Sequence, residues 1–139
     1  MNVSQLILEL GIDSEMESRM DRLLSALEKG ISSGAVSMSL NMIVVSLKSM
    51  VFRVDVYDLA VVISEVDDDA YLVSIWKMNE MGEPIDQHLV IGFFSPFDQN
   101  GRNFLSRLSG ICEIYISMAS NHFRNEFEAI VEYLEGEEG

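Results

Sequence analysis

Residues 50–94 read MVFRVDVYDLAVVISEVDDDAYLVSIWKMNEMGEPIDQHLVIGFF, and this stretch decides the fold class. Apolar and polar side chains alternate at its start, and residues 59–66 are almost continuously apolar, which is typical of a central strand. The acids at 67–69 and the segment 79–84 predict turns, so the chain is expected to return twice, over residues 70–78 and 88–94. The stretch therefore predicts an antiparallel sheet.

The segment before it, residues 35–47, fits two structures. Val36, Met38 and Leu40 alternate with serines, which is the spacing of a strand. Val36, Leu40 and Ile43 also fit the stripe of a helix. Serine and β-branched residues are mediocre in helix interiors, so we favour the strand and keep the helix as the alternative.

Helices are predicted at both ends of the chain. Residues 3–10 carry apolar side chains at helical spacing, and a second helix is predicted from the capping box of Ser14 and Glu17 to Gly30. Near the other end, a short helix is predicted over residues 103–108.

A strand over residues 111–118 and a last helix over residues 121–135, ended by Gly136, complete the prediction. One face of the last helix is apolar and is expected to pack on the sheet. This face consists of Phe123, Phe127, Ile130, Val131 and Leu134.

Strands in the middle and helices at the ends predict a single α+β domain over residues 1–139. We expect a largely antiparallel sheet of about five to six strands, with N-terminal helices and a C-terminal amphipathic helix packed on it. At 139 residues with 48% hydrophobic side chains and a mean hydropathy of +0.18, the chain can bury a sizeable core.

Composition excludes several classes of function. The chain has 23 acids against 9 bases, a net charge of -14, so we expect no direct binding to nucleic acid or to an anionic membrane surface. Its single cysteine excludes an intramolecular disulfide and a cysteine-based zinc site. The N-terminus lacks a basic region, so no signal peptide is predicted, and no apolar run is long enough to span a membrane. A lone cysteine and nine methionines suit a reducing, intracellular setting, so a cytoplasmic location is predicted.

Catalytic motifs are also missing from the sequence. Glycine-rich phosphate loops and the nucleophile elbow are absent, so we predict that the protein is not an enzyme and uses no cofactor or metal. His88 and His122, the latter expected in the first turn of the last helix, are predicted to be polar surface residues. Cys112 is predicted to be a buried small side chain on a strand face shared with Ile114. An enzyme would need paired acids, such as Glu65 and Asp86, in one cleft.

The acidic residues offer the best candidate site. Three glutamates lie on one side of the predicted last helix, where carboxylates near the C-terminus oppose the helix dipole and so weaken the fold. Three consecutive aspartates form the turn after residue 66. The candidate partner-binding residues are therefore Glu128, Glu132, Glu135, Asp67, Asp68 and Asp69.

Residues 111–135, ICEIYISMASNHFRNEFEAIVEYLE, resemble the last strand and helix of the class I chaperones of type III secretion. The resemblance extends to size, acidity and the order of elements, and it departs at an extra N-terminal helix and an uncertain first strand. It implies a small dimeric α+β protein that holds an extended segment of a partner protein.

The sequence thus predicts a protein-binding module, whether chaperone, adaptor or inhibitor, whose partner has a basic surface. The alternative is an acidic mimic of nucleic acid, or an immunity-type inhibitor of a basic protein. Whether the chain forms a homodimer stays open at this point.

Overall fold

The computed structural model describes residues 15–67 and 70–137. These residues form one α+β unit with a five-stranded sheet, so the predicted fold class is confirmed. The predicted helix over residues 3–10 lies outside the described residues, as does the predicted cap Ser14. The elements are α1 (Met16–Ser33), β1 (Val36–Val44), β2 (Leu47–Val54), a 3-10 turn (Asp55–Tyr57), β3 (Leu59–Asp67), β4 (Ala70–Met78), β5 (Pro84–Phe94) and α2 (Gln99–Glu137).

The sheet is an antiparallel meander in which each strand pairs with the next one along the chain, in the order β1-β2-β3-β4-β5. The strand interpretation of residues 35–47 is confirmed, but this segment contains a turn. Val45 and Ser46 both have positive φ and connect β1 to β2, as in the two-residue hairpins that suit the twist of a sheet.

Both helices pack on the same face of the sheet. The apolar side of α1 and the first part of α2 meet alternate side chains of the inner strands, and this packing forms the main core. The buried members include Met20, Leu24, Leu27, Ile31, Phe52, Val61, Ile63, Val73, Phe104, Leu108 and Ile111.

The other face of the sheet holds a smaller apolar cluster. Its fully buried centre is Val51 and Val62, against which Trp76 packs. Buried polar groups on the sheet are satisfied, since the Ser49 and Ser64 hydroxyls lie 2.8 Å apart and are hydrogen bonded.

The helices run side by side in the same direction across the sheet. α1 begins where Met16 and Met20 lie over Gly92 of β5, and it ends where Gly30 lies against Val36 of β1. Gln99 begins α2 just after β5, at what we call the upper edge of the sheet, where the β3–β4 turn also lies. The opposite edge, where β1 begins, is the lower edge.

The predictions for the end of α1 and for the region after β5 were partly wrong. α1 does not end at Gly30 but continues to Ser33, and Gly34 caps it with a φ of 82°. The predicted short helix, the strand over residues 111–118 and the last helix are all parts of α2, which also continues through Gly136 to Glu137.

Two local causes explain why α2 starts so early. The Asp98 side chain accepts a hydrogen bond from the backbone N–H of Gly101 at 2.6 Å, which is the geometry of a helix N-cap. Gly101 itself must be glycine, because a Cβ atom there would lie 1.6 Å from the Ser95 carbonyl oxygen. Residues 111–118 add no strand to this open sheet, and Ile111 instead enters the main core from the helix.

Candidate protein-binding surface

The long helix α2 consists of two parts with different surroundings. We call residues 99–115 the inner half and residues 116–137 the outer half. In the inner half Phe104, Leu108 and Ile111 are buried in the main core. Arg107 fixes this half to α1, because its Nη2 donates to the Ser25 hydroxyl at 2.8 Å and its Nη1 forms an ion pair with Asp21.

The outer half continues past the lower edge of the sheet. The outer half is about 30 Å long at the rise per residue of an α-helix. From Ile116 to Gly136 every residue except Val131 is exposed. Phe123 is 70% exposed, Phe127 57% and Leu134 56%. The prediction that this face packs on the sheet was therefore wrong, because the inner half and α1 already occupy the apolar face of the sheet.

One side of the outer half nevertheless stays apolar along its whole length. The stripe begins in the last turn of the inner half, at the margin of the core, where Cys112 is half-buried, and reaches nearly to the end of the helix. Its members from Phe123 onward are apparent from the sequence, but their exposure to solvent is not. The apolar stripe consists of Cys112, Ile116, Ala119, Phe123, Phe127, Ile130 and Leu134.

The three candidate glutamates lie on the opposite side of the same helix. At about 100° per residue, Glu128, Glu132 and Glu135 point away from Phe123 and Ile130. All three are exposed. We call them the acidic ridge. Since glutamates four residues apart on a helix repel each other, this arrangement weakens the helix by a few tenths of a kcal/mol.

The candidate aspartates are not beside the acidic ridge. Asp67 is exposed at the end of β3, at the upper edge of the sheet, whereas the ridge lies beyond the lower edge. Asp68 and Asp69 lie outside the described residues. The two groups of acids are thus separated by the length of the strands and by about three further helical turns to Glu128, the first residue of the ridge. A single small partner surface would therefore not contact both groups.

The histidines and the cysteine lie apart from one another. His88 is exposed on β5. His122 lies in the middle of α2 rather than in its first turn, with its Nε2 3.1 Å from Oε1 of Glu126. Cys112 was expected on a strand but lies on the helix, half-buried, and desolvation raises the pKa of its thiol.

Glu65 and Asp86, the pair of acids that an active site could use, do not lie close together. Glu65 is opposite Tyr71 near one end of β4, and Asp86 is opposite Lys77 near its other end. Both side chains are exposed. In the part of the chain that the structure describes, no three His, Cys, Asp or Glu residues are grouped so that they could hold a metal ion.

A cleft of about 580 Å³ lies at the upper edge of the sheet, between the first turns of α1 and α2. Its apolar wall includes Met16, Phe94 and Phe104, and its polar rim includes Asp98 and Arg107. The described chain begins at the rim of this cleft, at Glu15. No helix within residues 15–67 and 70–137 combines the length and apolar character that a membrane crossing requires.

Comparisons of the chain with protein-family models, with curated proteins and with solved structures found no match. The resemblance to class I secretion chaperones is also weaker in the structure than in the sequence. The segment 111–118, which resembles their last strand in sequence, is helical here.

Proposed function

We propose that this protein is a small, acidic, non-enzymatic protein-binding module that acts through the outer half of α2. The observation that carries the proposal is the exposure of the apolar stripe on a helix that extends beyond the body of the protein. Isolated exposed apolar side chains are ordinary, but a continuous exposed stripe is typical of a protein contact surface.

The acidic ridge gives the proposal a second feature, the charge of the partner. Negative charge near the C-terminus of a helix opposes the helix dipole, whereas lysines there would stabilise it. The ridge is therefore unfavourable for the fold and favourable for attraction of a basic surface. With a net charge of -14, the whole chain adds to this attraction over long range.

The test measures how fast the protein associates with a partner that is captured from the native cell and identified by mass spectrometry. The wild-type protein is compared with a triple variant that carries Glu128→Gln, Glu132→Gln and Glu135→Gln. We expect the triple variant to associate about tenfold more slowly at low salt, and the difference to shrink as salt is added.

The matched control removes the same charge elsewhere, through Glu65→Gln, Glu80→Gln and Glu83→Gln, all exposed on the body of the protein. If both triple variants associate equally slowly, the partner responds to net charge alone and the ridge is not its site. Association of the ridge variant at the wild-type rate would make the ridge a solubilising surface only.

The same experiment separates the kinds of partner. A captured nucleic-acid-binding protein that is released by added DNA or RNA would favour the alternative, an acidic mimic or an immunity-type inhibitor. A partner that nucleic acid does not displace favours a chaperone or adaptor. We place this activity in the cytoplasm, because a lone cysteine and nine methionines suit a reducing compartment.

A further inference from the structure

The apolar stripe has a symmetric spacing. Its seven members follow one another at intervals of 4, 3, 4, 4, 3 and 4 residues, so the pattern reads the same in both directions from Phe123. Cys112, Phe123 and Leu134 are 11 residues apart. An 11-residue repeat keeps an apolar stripe nearly parallel to the axis of an almost straight helix.

From this symmetry we propose that the occupant of the apolar stripe is a second copy of this chain. The two outer halves pack antiparallel around a two-fold axis at Phe123. This inference rests on the proposed use of the outer half as a contact element. The register places Phe123 against itself, Ala119 against Phe127, Ile116 against Ile130 and Cys112 against Leu134.

Side-chain sizes are complementary in this register. A shallow, open depression on the outer half has small side chains, Ala119 and Ser120, at its floor and is also lined by Ile116, Phe123 and Phe127 of the same chain. The residue that faces Ala119 is Phe127, whose ring is 57% exposed in the single chain. In this register each copy therefore places one large ring opposite one small side chain, which is what a self-complementary interface requires.

The distribution of charge also selects the antiparallel arrangement. The acids of residues 126–135 would lie beside residues 111–120 of the other copy, where the only charged side chain is Glu113. The acidic ridges face outward in either arrangement, but a parallel pair would hold them side by side at the same height along the two helices. The antiparallel pair holds them at opposite ends, which lowers their mutual repulsion. In the antiparallel pair the acidic ridge still faces outward, so it stays accessible to a basic partner.

The size of the interface fits a dimer of moderate stability. Full burial of the five large exposed side chains would remove roughly 600 Å² per copy, against about 800 Å² per partner in a standard interface. Those side chains belong to Ile116, Phe123, Phe127, Ile130 and Leu134.

The N-terminal segment of the same chain is a poorer occupant. It joins the structure at Glu15, at the upper edge of the sheet, and Phe123 lies about 36 Å along α2 from that edge. With residues 3–10 helical, as the sequence predicts, that helix and four linking residues would reach about 30 Å at most, far enough for Ile116 but not for the stripe from Phe123 onward.

The decisive experiment is disulfide crosslinking of the full-length chain in a Cys112→Ser background. We expect Phe123→Cys to form a crosslinked dimer under mild oxidation. Ile116→Cys and Ile130→Cys should each fail to crosslink alone and should crosslink when mixed. Asn121→Cys, on the far side of the helix, is the control for random collision of exposed thiols.

A size exchange tests the register without cysteines. Phe127→Ala should weaken the wild-type dimer by about 100-fold or more in sedimentation equilibrium, and Ala119→Phe should weaken it as well. The double variant with both substitutions places a ring opposite an alanine again and should regain most of the affinity. Added salt should strengthen the dimer, since its two acidic subunits repel.

Each alternative arrangement has its own outcome. If Phe123→Cys, Ile116→Cys and Ile130→Cys each crosslink on their own, the helices pair in parallel. If none of them crosslinks faster than Asn121→Cys and the wild type is monomeric, the proposed dimer does not form. If the removal of residues 1–14 raises the affinity of the dimer, the N-terminal segment competes with the second copy for the apolar stripe. Failure here leaves the ridge test intact, because the acidic ridge lies on the opposite side of the helix.

Discussion

The inner and outer halves of α2 are parts of one continuous helix with similar apolar periodicity, yet only the inner half is buried. Leu108 in the inner half is 2% exposed, whereas Phe127 in the outer half is 57% exposed. The difference arises because α1 and the sheet end at the lower edge, while the helix continues. Helical periodicity therefore indicates that a face will be covered, but not whether the same chain covers it.

The largest expected effect is in the inner half. Leu108→Ala should reduce the free energy of unfolding by about 2–5 kcal/mol, because it leaves a cavity among Ile31, Phe104 and the other core side chains. Chemical denaturation at low protein concentration measures it. A loss below about 1 kcal/mol would mean that α2 does not pack as described.

The corresponding truncation in the outer half should do much less to the single chain. Phe127→Ala should change the free energy of unfolding of the monomer by no more than about 0.5 kcal/mol, because the ring gives up little burial and alanine favours the helix. The same denaturation at high protein concentration should show a larger loss, since there the wild type is stabilised by dimerisation. Equal losses at both concentrations would contradict the contrast between monomer and dimer.

The smallest expected effect has the opposite sign. Glu128→Gln, Glu132→Gln and Glu135→Gln together should raise the free energy of unfolding by a few tenths of a kcal/mol, or leave it unchanged, at low salt and low protein concentration. The gain should disappear in 1 M salt, where these repulsions are screened. A loss of stability would show that the ridge glutamates make favourable contacts within the folded chain.

Much of the fold could be predicted from short-range patterns. Residues 59–66 predict a central strand, because a strand that is buried on both faces is a continuous apolar run in sequence. In the structure these residues form most of β3. Residues 111–118 were assigned to a strand because Cys112, Ile114 and Ile116 alternate. The same isoleucines also fit a helix, and short-range spacing cannot arbitrate between the two.

The candidate site was predicted in part. The sequence identified the acidic ridge and the residues of the apolar stripe from Phe123 onward. It could not show that the stripe faces solvent, because burial depends on where α1 and the strands end. Nor could it show that Asp67 lies at the upper edge of the sheet and Glu132 beyond the lower edge, since that depends on the direction in which α2 crosses the sheet.

The sequence by itself determined the antiparallel β-sheet, the amphipathic character of α2 and its acidic side, because these follow from the alternation and charge of neighbouring residues. Only the tertiary structure decided which half of α2 enters the core. The physical reason is that one face of a five-stranded sheet has a limited area, and α1 with the inner half of α2 fills it. The rest of the helix extends past that face, so its apolar stripe stays exposed among residues 15–67 and 70–137.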